Sequence, residues 1–253
     1  MTMRRNCTSS PSSHPVAPRV GLLVALLLVT SACAPRSASV PMGPEAPRSP
    51  LLDPGSPEMT AQAPDLYKVL FETSAGDFVV EVERDLAPLG ADRFYNLARS
   101  GFYEGARFFR VVPGFVVQFG LSGTPEIAAA WREARIEDDP VVASNERGAM
   151  TFAMGGPGTR TVQVFINLSD NSRLDATGFA PFGHVSGGMD VVDRLYGGYG
   201  DGAPRGQGPE QGRIQREGES YLAEAFPLLD RVIRTRILDV PQPEEPTPDA
   251  VDR

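Results

Sequence analysis

Two cysteines, two histidines and one tryptophan are all that 253 residues contain of those three types. Cys7, Cys33 and His14 fall in the first 33 residues, so His184 is the only histidine in the remainder. That scarcity excludes a Cys–His nucleophile there and leaves a Ser-His-Asp triad a single candidate base. His184 sits in a strand-like FGHV, where a lone histidine reads as structural. No His/Cys cluster has zinc spacing, so no metal and no cofactor is expected. The longest aliphatic run, GLLVALLLV at residues 21–29, is far short of the roughly 20 apolar residues a membrane-spanning helix needs. Positive charge is also short: the formal net charge is −8, which gives no electrostatic footprint for nucleic acid and no polybasic patch for anionic lipid.

What the first 33 residues do hold is a basic stretch with Arg4, Arg5 and Arg19, then the apolar run, then Thr30-Ser31-Ala32-Cys33. Basic region, short apolar region and small residues before a cut make a secretory signal over residues 1–32. TSAC resembles the lipobox of bacterial lipoproteins, with Thr30 where leucine is usual, and this implies lipidation at Cys33. The mature chain is then expected to be exported, lipid-anchored to the bacterial cell envelope and facing the periplasm or exterior, its only membrane tie covalent. Losing three arginines and no acid with the signal makes it more acidic still. Eight prolines in residues 34–64 mark an extended linker, and PQPEEPTPDAVDR at 241–253 reads as a disordered tail. The folded unit is thus read as residues 65–240, without internal repeats.

Within it, YKVLFET at 67–73 and FVVEVE at 78–83 read as a hairpin, with Gly76 supplying a positive φ. Pro88 and Gly101 bracket a helix whose Phe94, Leu97 and Ala98 share one face. Residues 108–119 return to strand, followed by candidates at 148–153, 163–168, 179–185 and 231–238. Further helices are expected at 189–196 and 221–226. Many short strands with few helices point to a β-barrel or a near relative. The glycine-rich run GGYGDGAPRGQGPEQG at 197–212 lacks the GK[ST] ending of a phosphate loop and reads as a mobile surface loop. The pairs Asp138-Asp139 and Glu244-Glu245 read as solvated charge, and the sequon-like Asn167-Leu168-Ser169 as meaningless.

One stretch stands out. FFRVVPGFVVQFG, residues 108–120, is nearly all apolar yet carries Arg110 and Gln118. An unpaired guanidinium inside a core would be costly, so the cation belongs either at the mouth of a cleft or on the surface beside a carboxylate. The stretch resembles the F-H-R-x-x-P-G-F-x-x-Q-G signature of the cyclophilins, a family of prolyl isomerases. MTFAMGGPGTRTVQVFINL, residues 150–168, resembles their M-A-x-A-G-P-x-T-x-x-Q-F-F-I signature. SRLDATGFAPFGHVSGGMDVVDRL, residues 172–195, resembles the L-D…F-G-x-V…G-M-x-V-V run that follows. All three occur in family order.

The resemblance implies a closed eight-stranded antiparallel barrel capped by two helices, with the site on its outer surface. It assigns Arg110 as the catalytic arginine and Phe115, Val116, Phe165 and Leu174 as walls of a proline pocket. Gln118 and Gln163 become the polar residues beside that pocket, with Gln118 holding Arg110 in orientation. Ala153, Met154 and Gly155 match the strip that binds peptide backbone, and Phe179 falls near the pocket rim. Val116, Met154, Arg173 and Phe179 depart from the usual methionine, asparagine, tryptophan and histidine, which implies weak cyclosporin sensitivity. Proline-containing polypeptides are the implied partners; oligomeric state is left open. Turning an X-Pro bond needs no nucleophile, metal or base, which suits the short inventory. Two other readings stay open: a tethered module that binds proline segments with little turnover, and a lipocalin-like barrel with a ligand inside.

Overall fold

Side chains in Leu66–Thr73 (β1) alternate out and in along its whole length, as a strand with one buried face requires. Gly76–Glu83 (β2) alternates in the same way and pairs with β1 from Thr73–Gly76 to Leu66–Glu83. Gly76 closes the turn at φ +123°, the conformation for which the sequence nominated it. The computed structural model describes residues 49–238. The signal at 1–32, the lipidation site Cys33 and the tail at 241–253 lie outside the described residues.

Six more strands follow: Arg110–Val112 (β3), Val116–Phe119 (β4), Ala149–Phe152 (β5), Val164–Asn167 (β6), Pro181–Gly187 (β7) and Val232–Leu238 (β8). They form one antiparallel sheet in the order β3-β4-β6-β5-β7-β2-β1-β8. The sheet curls so strongly that its two ends meet. An isolated bridge, Arg107–Arg231, joins the segments entering the two edge strands. Phe108 N donates to the Asp230 carbonyl at 3.0 Å, and Val232 N to Ala106 at 2.9 Å. The eight-stranded antiparallel fold expected from the resemblance is present, closed by this short stitch instead of a full ladder.

Residues 108–119 are not one strand. Pro113 has no N–H to give and Gly114 sits at φ +71°, so the chain turns back on itself there. The resulting β3–β4 hairpin sets Arg110 directly opposite Gln118.

The concave side is filled by rings. Phe71 stacks on Phe78 at 4.8 Å and meets Phe119 edge-on at 5.7 Å, while Phe182 lies 4.9 Å from Phe94 and 5.2 Å from Phe152. Each such burial is worth about 1.5–3 kcal/mol. A ligand inside the barrel, the lipocalin-like reading, has no room.

Among the described residues five α-helices surround the sheet: Pro88–Arg99 (α1), Pro125–Trp131 (α2), Met189–Asp193 (α3), Gln211–Glu217 (α4) and Glu219–Ala225 (α5). Composition did not reveal α2 and α4. Both are seven-residue helices, and so few turns are marginal without tertiary packing. Trp131 of α2 is wholly buried, and its Nε1 donates to the Leu51 carbonyl at 2.9 Å. That bond exposes a second difference. The packed unit begins before residue 65, because Met59 and Ala63 join the core and Ala63 N donates to Asp92 at 2.9 Å. A proline-rich average hides a few apolar anchors spaced along an extended path.

Asp139 is not solvated either. Its side chain is 2 % exposed and pairs with Arg160, also 2 % exposed, at 3.0 Å. The same carboxylate accepts from Leu89 N (3.0 Å) and Gly90 N (2.9 Å), satisfying the first turn of α1, where Ala87 offers no side-chain cap. Asp138, the other half of the pair, accepts from Gly158 N at 2.7 Å. The local sequence DDP gave no hint of partners 49 and 50 residues upstream. Asp139→Ala takes from the buried Arg160 its enclosed partner, leaving the partly exposed Asp138 at 3.3 Å, and uncaps α1, so urea unfolding should show a loss of about 3–5 kcal/mol; a change within about 0.5 kcal/mol, as at ordinary surface sites, would contradict this account.

Candidate active site

Strands β4, β5 and β6 serve two faces at once. Val117, Phe119, Met150, Phe152, Val164 and Ile166 point into the core. The alternate residues, Val116 and Gln118 on β4 and Phe165 on β6, point outward and line a cleft of about 900 Å³. Every residue that the sequence nominated for the site lines this one cleft: Arg110, Phe115, Val116, Gln118, Ala153, Met154, Gly155, Gln163, Phe165, Leu174 and Phe179.

One wall is apolar. Phe165 and Phe179 meet edge-on at 5.6 Å, beside Val116, Leu174 and Phe115. Phe179 reaches the cleft from the residue after Gly178, whose φ of +87° ends the 3₁₀ turn Ser172–Thr177 that carries Leu174. Phe115 lies between two cations: the guanidinium carbon of Arg110 is 5.5 Å from its ring centre and that of Arg173 is 5.0 Å.

Beneath this wall runs a buried polar network that the sequence did not disclose. Asn171 Nδ2 donates to the Phe115 carbonyl (2.9 Å) and to Asn167 Oδ1 (2.8 Å). Asn145 Nδ2 donates to the Phe179 carbonyl (2.8 Å) and to Asp175 Oδ1 (2.7 Å). Burial pushes the Asp175 carboxyl up, but hydrogen bonds from Ser144 and Asn145 outweigh it and hold the group below its ordinary value. Two main-chain carbonyls flanking the pocket are thereby pinned from below. Asn167, the sequon asparagine, is fully buried in β6.

The other wall is polar. Arg110 Nη1 donates to Gln118 Oε1 at 3.1 Å, and Gln118 Nε2 donates to Gln163 Oε1 at 2.9 Å. Register explains the relay: Arg110 faces Gln118 across β3–β4, and Gln118 is opposite Phe165, with Gln163 two residues back on the same face. Arg110 also has a carboxylate partner. Its Nε and Nη2 donate to Asp201 Oδ1 (2.8 Å) and Oδ2 (3.2 Å). The Arg110 guanidinium holds the Asp201 carboxyl below the usual carboxylate range, assisted by Gly202 N and Arg205. The two placements considered for Arg110, cleft mouth and carboxylate pair, are therefore both met.

Asp201 is the functional-site residue that sequence reasoning missed. It belongs to the glycine-rich run read as a mobile surface loop, yet residues 201–203, 205 and 208–212 close one side of the cleft. Phe109 also reaches the cleft and belongs to a second apolar cluster with Leu121, Ile214, Tyr221, Leu222 and Leu229. His184 is exposed on β7 and takes no part. Among the described residues no cluster of His, Cys, Asp or Glu could hold a metal, and no helix is long and apolar enough to cross a membrane.

The family model described as cyclophilin type peptidyl-prolyl cis-trans isomerase/CLD matches residues 68–215. A peptidyl-prolyl cis-trans isomerase of Acinetobacter baylyi is 34 % identical over 132 residues, covering 50 % of this chain and 70 % of the relative. Peptidyl-prolyl cis-trans isomerase A of Dickeya dadantii is 37 % identical over 133 residues, with the same coverage of each. In fold, the crystal structure of a Cryptosporidium parvum cyclophilin type peptidyl-prolyl cis-trans isomerase superposes with a TM-score of 0.52 at 19 % identity, covering 70 % of this chain and 99 % of that one.

Proposed function

The chain belongs to the cyclophilin-type peptidyl-prolyl cis-trans isomerases, and we propose that it turns X-Pro bonds of exported polypeptides by seating the proline ring against Phe115, Val116, Phe165, Leu174 and Phe179 while Arg110 stabilises the twisted amide. The observation that carries this reading is the adjacency of a held guanidinium to an apolar recess within one cleft.

The planar amide resists rotation by about 18–20 kcal/mol because conjugation must be broken. At the halfway point the nitrogen lone pair is no longer shared with the carbonyl and becomes a hydrogen-bond acceptor. A fixed donor beside that nitrogen therefore binds the twisted state better than either planar isomer, which is what lowers a barrier. The apolar wall removes water from the ring and holds it while the acyl side rotates. Gln118 keeps Arg110 from collapsing into solvent, and Gln163 holds Gln118. Ala153, Met154 and Gly155 border the same cleft, where extended peptide on either side of the proline would run. No proton is transferred at any step.

The leader at residues 1–32 and the lipobox-like TSAC support export and acylation of Cys33, which would set the domain on a membrane surface among unfolded secreted chains. Cys33→Ser should move the protein from the membrane pellet to the soluble fraction of the producing cell; an unchanged distribution would remove the anchor from this reading.

Arg110→Ala should lower the isomerisation rate of a proline peptide roughly 10²–10³-fold, the cost of deleting one preorganised donor. Equal rates in a proline-limited refolding assay would end the proposed role. The charged groups bordering the cleft are Arg110, Arg205, Asp201 and Glu210, with no histidine or cysteine among them. Asp201 has a depressed folded-state value, so its contribution is fully present above the ordinary carboxylate value of about 3.9 and is lost only as pH falls through the lower one. kcat/KM should accordingly be flat from about pH 6 to 9, whereas a bell-shaped profile would reveal a general base.

A further inference from the structure

Residues 197–212 fold back on themselves. Gly208 N donates to the Asp201 carbonyl at 2.8 Å and Gln207 N to the Tyr199 carbonyl at 3.0 Å. The turn is so tight that a Cβ on Gly206 would fall 2.1 Å from the Asp201 carbonyl oxygen. Tyr199 anchors the base, edge-on to Tyr196 at 5.1 Å and Phe226 at 5.0 Å. Within this frame the Asp201 carboxylate is held by its own loop, through Gly202 N at 2.8 Å and Arg205 Nε at 3.1 Å. Its position is therefore set independently of Arg110.

A second pair fastens the same insert. Arg107, 5 % exposed, reaches across to Glu219 of α5 and donates to the Leu229 carbonyl at 2.9 Å. Arg107 and Arg110 thus grip the 197–229 segment from one short stretch of chain leading into β3.

The donor count of Arg110 decides what its pairing does. A guanidinium carries five N–H groups in a fixed plane. Asp201 takes Nε–H and one Nη2–H on the side edge, and Gln118 takes one Nη1–H. One N–H on Nη1 and one on Nη2 remain for an incoming group. Gln118 alone touches a single nitrogen and leaves the plane free to swing, whereas the two-point carboxylate contact fixes it. The side-chain exposures of 18 % for Arg110 and 16 % for Asp201 leave little water to compete.

We propose that Asp201 is a positioning residue for Arg110, and that the glycine-rich loop is by this contact a working part of the isomerase site. This rests on the role proposed for Arg110 above. The opposite effect, a latch in which Asp201 competes with substrate for the cation, predicts a faster enzyme when the carboxylate is removed.

The test is a double-mutant cycle of Asp201→Ala and Arg110→Ala on an X-Pro peptide, using the full chain. Asp201→Ala should lower kcat about 10-fold with little change in KM, as expected for loss of orientation, and should cost nothing further when Arg110 is already alanine. Asp201→Asn keeps an acceptor for Gly202 N but loses the second acceptor facing Nη2, so it should show the same kcat loss with the loop intact. A variant as fast as the parent or faster overturns the proposal, as does an equal loss in the Arg110→Ala background. Nitrogen-15 spectra of the arginine Nε–H groups give a readout independent of turnover. The Arg110 signal should be sharp and slow to exchange in the parent and lost in Asp201→Ala; its persistence there would also overturn the proposal. A parent protein without isomerase activity would instead defeat the role assigned to the cleft, and the spectra would still decide the placement of Asp201.

Discussion

A curled sheet whose concave side is packed with phenyl rings has only its convex side left for chemistry. That constraint organises this molecule. Phe71, Phe78, Phe94, Phe108, Phe119, Phe152 and Phe182 all lie within the core at no more than 1 % exposure. The residues between the inward ones on β4 and β6 are then obliged to face out, and those residues are Val116, Gln118 and Phe165. Core and site are written on alternate positions of the same short strands. Slipping the register by one residue would exchange them, putting Gln118 among the rings and Phe119 in the cleft. The packing of the interior thus also specifies the aim of the site.

Charge is handled differently at two of the ion pairs. Arg160 and Asp139 are both enclosed, and their pairing mainly keeps each from being stranded while the carboxylate finishes α1. A pair of that kind contributes little net stability and is costly to break. Arg110 and Asp201 sit at the edge of a cleft with part of the guanidinium still uncommitted. There the carboxylate takes Nε–H and one Nη2–H and leaves the other Nη2–H free. A reaction that transfers no proton suits such a site, because a permanently charged donor does not change state with ordinary shifts in pH.

The insert after β7 illustrates how a loop becomes part of a site without a recognisable motif. Helices α4 and α5 bring Ile214, Tyr221 and Leu222 onto Phe109 and Leu121, and this small apolar cluster backs the loop that carries Asp201. Two ion pairs, at Arg107 and Arg110, then hold it against the segment that leads into β3.

Period-two alternation and turn chemistry made β1, β2 and their connection at Gly76 readable directly, and Pro88 with Gly101 bounded α1 for reasons internal to the helix. Arg110 and Gln118 were related in the sequence only through the family signature, because 108–119 reads as one strand; the turn at Pro113-Gly114 is what brings them together. Phe165, Leu174 and Phe179 come from separate segments, and only the order of three family signatures related them. Nothing of that kind marked Asp201, 91 residues from Arg110, or Asp139, 49 residues from the helix turn it caps, or the anchors Met59 and Ala63 in a proline-rich run. The amino-acid sequence by itself determined the alternation that builds the sheet and the short-range residues of the cleft, since both follow from neighbours along the chain. Only the tertiary structure decided which carboxylates meet which arginines, because a charge carries no record of its partner until folding removes the water between them.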